Sequence, residues 1–196
     1  LRQKIAETWH YLSPELDETN VCITMSGTNA LLDIFLALVD PGDEVLIPEP
    51  YFPLYPPDVV ICGGQPSLYP CRFENGFVPK IEDLEERVNE NTVAILYNFP
   101  SNPTGGNVTL EERDELLAFA ERNDLWVITD EVYDRIVYDC EHVSFLGAGY
   151  DKVIMINSFS KTFAMTGWRI GYILSENLEA MGHITKMQYY VTACSN

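Results

Sequence analysis

A chain of 196 residues, 46% hydrophobic and 21% charged, is long enough to bury one sizeable core and too apolar to be disordered. Its formal net charge of -18 repels phosphate backbones and anionic lipid, which argues against nucleic acid and membranes as partners. No apolar run approaches the ~20 residues that a membrane helix needs. The opening stretch places Ile5, Trp9 and Leu12 at helical spacing and stops at Ser13-Pro14. A short apolar strand is expected at Val21–Thr24, running into Ser26-Gly27-Thr28. A helix from about Asn29 to Val39 follows, closed by Asp40-Pro41-Gly42-Asp43. Glu44–Ile47 reads as a strand ending at Pro48, and Thr92–Tyr97 as another, followed by the Pro/Asn/Gly-rich turn Asn98–Gly106. Thr109–Asn123 reads as a helix whose Thr109 and Glu112 form a capping box. Leu125–Thr129 and Val153–Asn157 are buried strands, Arg169–Leu174 is a further strand candidate, and Glu176–Tyr190 is a final helix.

Nearly all-apolar strands alternating with helices predict one large α/β domain, a mainly parallel sheet with helices on both faces in three αβα layers. Ligands of such sheets gather beyond the carboxyl ends of the strands. The polar clusters Ser26–Asn29, Asn98–Gly106, Asp130–Tyr133 and Ser158–Lys161 all fall at those ends. Charge is unevenly spread: residues 1–150 carry 27 acidic against 8 basic side chains, and residues 151–196 carry 3 against 4. An anion held near the later segment would account for this. The five cysteines (Cys22, Cys62, Cys71, Cys140 and Cys194) form no CxxC or zinc-spaced cluster, so reduced thiols of a cytoplasmic protein are expected. The three histidines lie far apart and offer no metal site.

The sharpest segment is Ser158-Phe159-Ser160-Lys161-Thr162-Phe163-Ala164-Met165-Thr166-Gly167-Trp168-Arg169. It sets a lysine just past an apolar strand, among hydroxyls and before Gly-Trp-Arg. An amine that attacks an aldehyde must be neutral, and a nearby cation or partial desolvation favours that form. Arg169 would supply such a cation while gripping a phosphate. This string resembles the cofactor-lysine signature of class I/II aminotransferases, the fold-type I pyridoxal-phosphate enzymes, and four further segments match the same family in chain order.

Ser26-Gly27-Thr28-Asn29, between strand and helix, is similar to the family's phosphate loop; free N–H groups and the positive end of a helix dipole favour a dianion there. Pro50-Tyr51-Phe52-Pro53-Leu54-Tyr55 resembles the segment that lays an aromatic ring on the pyridine face, with Phe52 the stacking residue and Tyr51 the alternative. Asn98-Phe99-Pro100-Ser101-Asn102-Pro103-Thr104-Gly105 is similar to the family's Asn-Pro-Thr-Gly turn, in which Asn102 would donate to the cofactor's phenolic oxygen. Thr129-Asp130-Glu131-Val132-Tyr133 resembles the Asp-x-x-Tyr element. It implies that Asp130 pairs with the ring nitrogen and that Tyr133 bonds the phenolic oxygen from the other side. Ser158 and Arg169 join the implied cofactor-binding set, and Lys161 is the implied catalytic residue. Glu131 and Asp134 are expected to be solvated or structural.

The resemblance implies pyridoxal 5'-phosphate held by Lys161 as a Schiff base, with an amino group moved from an L-amino acid to a 2-oxo acid. The freed Lys161 amine would then carry the α-proton. Two alternatives stay open: a pyridoxal-phosphate-dependent carbon–sulfur β-lyase, which shares the same cofactor shell, and the aminotransferase-like sensor domain of a transcription regulator. The resemblance covers roughly half of a family member. Residues 1–196 are therefore expected to be an incomplete large domain, without the small domain that carries the substrate-carboxylate arginine. Leu1 is not an initiator Met, so the chain is expected to start inside a longer protein, homodimeric at full length. On its own it is expected to be poorly active.

Overall fold

A computed structural model describes residues 1–193; Cys194 lies outside the described residues. The four described cysteines are free thiols. Seven strands, β1 (Val21–Thr24), β2 (Glu44–Glu49), β3 (Gln65–Pro70), β4 (Thr92–Asn98), β5 (Trp126–Asp130), β6 (Val153–Ser158) and β7 (Gly171–Leu174), form one sheet in the order β1-β7-β6-β5-β4-β2-β3. Strand β7 runs antiparallel to both its neighbours, and all other pairings are parallel. This is the expected mainly parallel sheet.

Alternation along the strands feeds two faces. Ala94, Leu96, Ile128, Ile154 and Ile156 join one core with helix α2 (Gly27–Leu38), while Ile95, Tyr97, Val127 and Val153 join the other with helix α5 (Leu110–Arg122). Side chains one residue apart on a strand point to opposite faces, so both faces of an apolar strand need a helical cover. On the first face α2 packs against α7 (Leu178–Thr192) and α3 (Tyr55–Ile61). The short helix α4 (Ile81–Glu85) packs beside α5 on the second. A smaller third core gathers Ile5 and Ala6 of α1 (Arg2–Thr8) with Trp9, Val21, Met155 and Leu174.

Boundaries differ from the sequence expectation in instructive places. Helix α2 begins at Gly27, because Ser26 caps it by accepting the Asn29 amide, so the Ser-Gly-Thr turn is the helix start itself. Strand β7 begins at Gly171 and not Arg169, whose φ of 52° is left-handed and incompatible with a strand. Strand β2 continues through Pro48 to Glu49: its pairing with β4 ends at Leu46, so the proline removes no bond from that ladder. Helix α5 keeps the predicted box, with Thr109 accepting the Glu112 amide and Glu112 reaching back to the Thr109 N–H.

Candidate active site

Four strand ends and one helix start converge on a single cavity of about 180 Å³. One water occupies about 10–15 Å³ on this scale, so the space suits a small molecule. Every site residue expected from sequence lines it: Ser26, Gly27, Thr28, Phe52, Asn102, Asp130, Tyr133, Ser158, Lys161 and Arg169. Tyr51, the alternative to Phe52, does not.

Asp130 ends β5 and is buried at the cavity wall. Its Oδ2 accepts the Tyr55 hydroxyl at 2.7 Å, and its Oδ1 accepts the Val132 amide at 3.3 Å. Burial pushes this carboxyl up to about 6, against the lowering pull of the Tyr55 and Val132 hydrogen bonds. A carboxylate offers about four acceptor positions, so two donors leave room for a cationic N–H from a ligand. Burial in turn drives the Tyr55 phenol well above its ordinary range, so it stays a donor. Phe52 meets Tyr55 edge-on, with ring centroids 5.5 Å apart.

Lys161 sits in α6 (Phe159–Thr162), the single turn that follows β6. Its Nζ lies over the Tyr133 ring, 5.3 Å from the ring centre, and both residues line the cavity. Thr162 ties this turn to the loop after β5 by donating to Asp134 Oδ1 at 3.2 Å. Arg169 projects from a left-handed residue after the turn, its Nη1 donating to the Thr166 carbonyl at 3.0 Å. Behind the cavity lining, Asn98 Oδ1 accepts the Asn102 amide at 2.7 Å while Asn98 Nδ2 donates to the Asp130 carbonyl at 2.9 Å. One buried asparagine thus links the Asn-Pro-Thr-Gly turn to the acidic strand end.

The start of α2 completes the cavity. The first amides of a helix have no carbonyl partner within it, and Gly27 and Thr28, the first two residues of α2, line the cavity. The small size of Gly27 serves packing: a Cβ there would sit 3.3 Å from Val132 Cγ1 and 3.7 Å from both Ile156 Cγ2 and Ser158 Cβ. Gly171 matters more, since a Cβ on it would lie 2.4 Å from the Ser26 carbonyl carbon and 2.6 Å from the Gly27 nitrogen.

Sequence reasoning missed Tyr55 as a site residue. Its tie to Asp130 spans 75 residues, and no local pattern betrays it. Glu131 and Asp134 are both buried, so the structural reading holds and the solvated one does not. Glu131 accepts the Thr129 hydroxyl and the Phe145 amide, each at 3.1 Å, and pairs with His142 at 2.8 Å. It anchors the loop beneath the site. Among the described residues no cluster could hold a metal ion.

Pyridoxal phosphate fits this donor set. Buried Asp130 keeps acceptor capacity, Lys161 brings an amine to the same cavity, and the helix start with Arg169 offers donors that would suit a dianion. The family model "Aminotransferase class I and II" matches residues 1–196. The aspartate aminotransferase of Thermotoga maritima is 36% identical over 184 residues, 93% of this chain and 48% of that relative. Thermus thermophilus aspartate aminotransferase, solved with maleate, superposes with a TM-score of 0.95 at 31% identity, covering 100% of this chain and 51% of that one. The aromatic aminotransferase of Pyrococcus horikoshii superposes at 0.93 with 36% identity, covering 99% and 53%. The chain spans about half the length of the curated relatives it matches.

Proposed function

The chain belongs to the class I and II aminotransferase family, and on that premise we propose that it is the cofactor-binding large domain of a pyridoxal-phosphate-dependent aminotransferase. The whole protein would move an amino group from an L-amino acid to a 2-oxo acid. The observation that carries this reading is the joint placement of an amine, Lys161, and a buried acid, Asp130, in a cavity closed at one end by a helix start. When bound, the cofactor supplies an electron sink for the pair released as the substrate α-carbon loses its proton.

The protein's own residues do the rest. Asp130 would hold a proton on the ring nitrogen, and Tyr55 keeps that carboxylate oriented. The Gly27 and Thr28 amides, Ser158 and Arg169 would bind phosphate, and Asn102 and Tyr133 would flank the phenolic oxygen. Lys161 Nζ would be the amine that holds the cofactor, and as a free amine it would take the proton from the substrate α-carbon and return it. Phe52 would cover the ring face. The relatives' names support transfer over carbon–sulfur β-elimination, and no DNA-binding role is proposed.

We place the full-length enzyme in the cytoplasm as a homodimer. Exposed Phe163 and Trp168 beside the lysine, and Tyr189, Tyr190 and Val191 at the end of α7, are the apolar surface that further chain or a second copy would cover. No described helix is long and apolar enough to cross a membrane. Assaying the full-length protein for 2-oxo-acid-dependent amino transfer, alongside pyruvate and ammonia release, tests the reading. Transfer without release supports it, and release without any need for an acceptor overturns it.

A further inference from the structure

One side chain, Asn29, holds the loop between β1 and α2 in shape. Its Oδ1 accepts the Met25 amide at 3.1 Å, and its own backbone N–H donates to Ser26 Oγ at 3.1 Å. Thr24 Oγ1 donates to the Ser26 carbonyl at 2.8 Å from the strand side. The backbone on both sides of Ser26 is thereby fixed, and Gly27 and Thr28 are presented at the cavity.

The orientation of the Asn29 amide has its own determinant. Asn29 Nδ2 donates to Asp33 Oδ1, one turn along α2, at 3.3 Å. That acceptor and the Met25 N–H together turn the amide oxygen toward Met25; the reverse orientation would set Nδ2 against the Met25 N–H. Asp33 is itself 0% exposed, and its Oδ2 has no hydrogen-bond partner. A buried carboxyl oxygen without a donor opposes folding, and an apolar side chain of similar size would fit the position better. Stability alone therefore does not account for an acid here.

We propose that Asn29 and Asp33 are positioning residues of the anion cradle: Asp33 fixes the Asn29 amide, and Asn29 holds Met25 and Ser26 so that the Gly27 and Thr28 amides stay open to a phosphate. This rests on reading the cavity as a site for a phosphorylated cofactor. Neither residue lines the cavity. On this proposal their effect falls on phosphate binding.

The test compares the binding of pyridoxal phosphate and of pyridoxal, which lacks the phosphate, to the cofactor-free full-length protein and to its Asp33→Leu and Asn29→Ala variants. Thermal midpoints are recorded in parallel. Loss of one oriented hydrogen bond predicts about tenfold weaker pyridoxal phosphate binding with pyridoxal binding unchanged. The Asp33→Leu midpoint should hold or rise, opposite in sign to its loss of affinity. Variants that keep the wild-type preference for the phosphorylated form overturn the proposal. So do variants that lose midpoint and both affinities together, since that marks a merely structural role. A wild-type protein with no preference between the two ligands would instead sink the cofactor reading, and this inference with it.

Discussion

The Tyr55 hydroxyl donates a 2.7 Å hydrogen bond to Oδ2 of Asp130, and both side chains are buried. Helix α3 and the end of β5, 75 residues apart in sequence, are joined by this bond at the acid that the proposed chemistry needs. The donor favours the ionised carboxylate, so Tyr55→Phe should raise the Asp130 titration midpoint in the cofactor-free chain. Hydrogen bonds to charged groups are worth about 1.5–3 kcal/mol, which predicts an amino-transfer rate lower by about tenfold or more. Carboxyl titration by NMR checks the first effect and full-length kinetics the second. An unmoved Asp130 midpoint would show that the phenol does not act on the acid.

Gly171 is predicted to be intolerant of any side chain. A methyl group there would lie 2.4 Å from the Ser26 carbonyl carbon, so β7 or the phosphate loop must move. Overpacking of this kind costs about 1–3 kcal/mol. Gly171→Ala should lower the thermal midpoint and weaken cofactor binding together, read by melting and by cofactor titration. A variant with wild-type affinity would contradict the close approach.

Three carboxyls are pushed upward by burial: Asp33 to about 7, and Asp58 and Asp130 to about 6. Each folded value lies above the ordinary one, so the neutral form is the one that folding favours. Their contribution to stability is fully present below about pH 4 and is lost as pH rises through 6 to 7. Urea unfolding of the cofactor-free chain should therefore show a midpoint that falls between about pH 5 and about pH 8, with a shallower fall in Asp58→Asn. A midpoint that climbs over that window would contradict the assignment.

Much of this architecture is legible in the chain, and the gaps have physical causes. Strands β1, β4, β5 and β6 announce themselves as apolar runs because helices cover both their faces. Strand β3 has no such run: Gln65-Pro66-Ser67-Leu68-Tyr69-Pro70 lies at the sheet edge, where two prolines and half-exposed residues are tolerated. Helix α3 begins Tyr55-Pro56-Pro57, and prolines that read as breakers are accommodated in a first turn whose amides have no helical partner. Helix α4 is only five residues, too short for any periodicity to show. At the site, the residues that face a small ligand cluster at strand ends and carry recognisable motifs. Those that act through a neighbour, Tyr55 on Asp130 and Asp33 on Asn29, depend on tertiary proximity or on a helical turn that looks ordinary in sequence.

The central claim is that the Lys161 amine holds the cofactor covalently. Borohydride reduction of the full-length protein loaded with pyridoxal phosphate, followed by peptide mapping, tests it most directly. The expected result is one labelled peptide containing Lys161, and no fixed label in Lys161→Ala although that variant still binds pyridoxal phosphate reversibly. Label fixed at another lysine, or retained by Lys161→Ala, would contradict it.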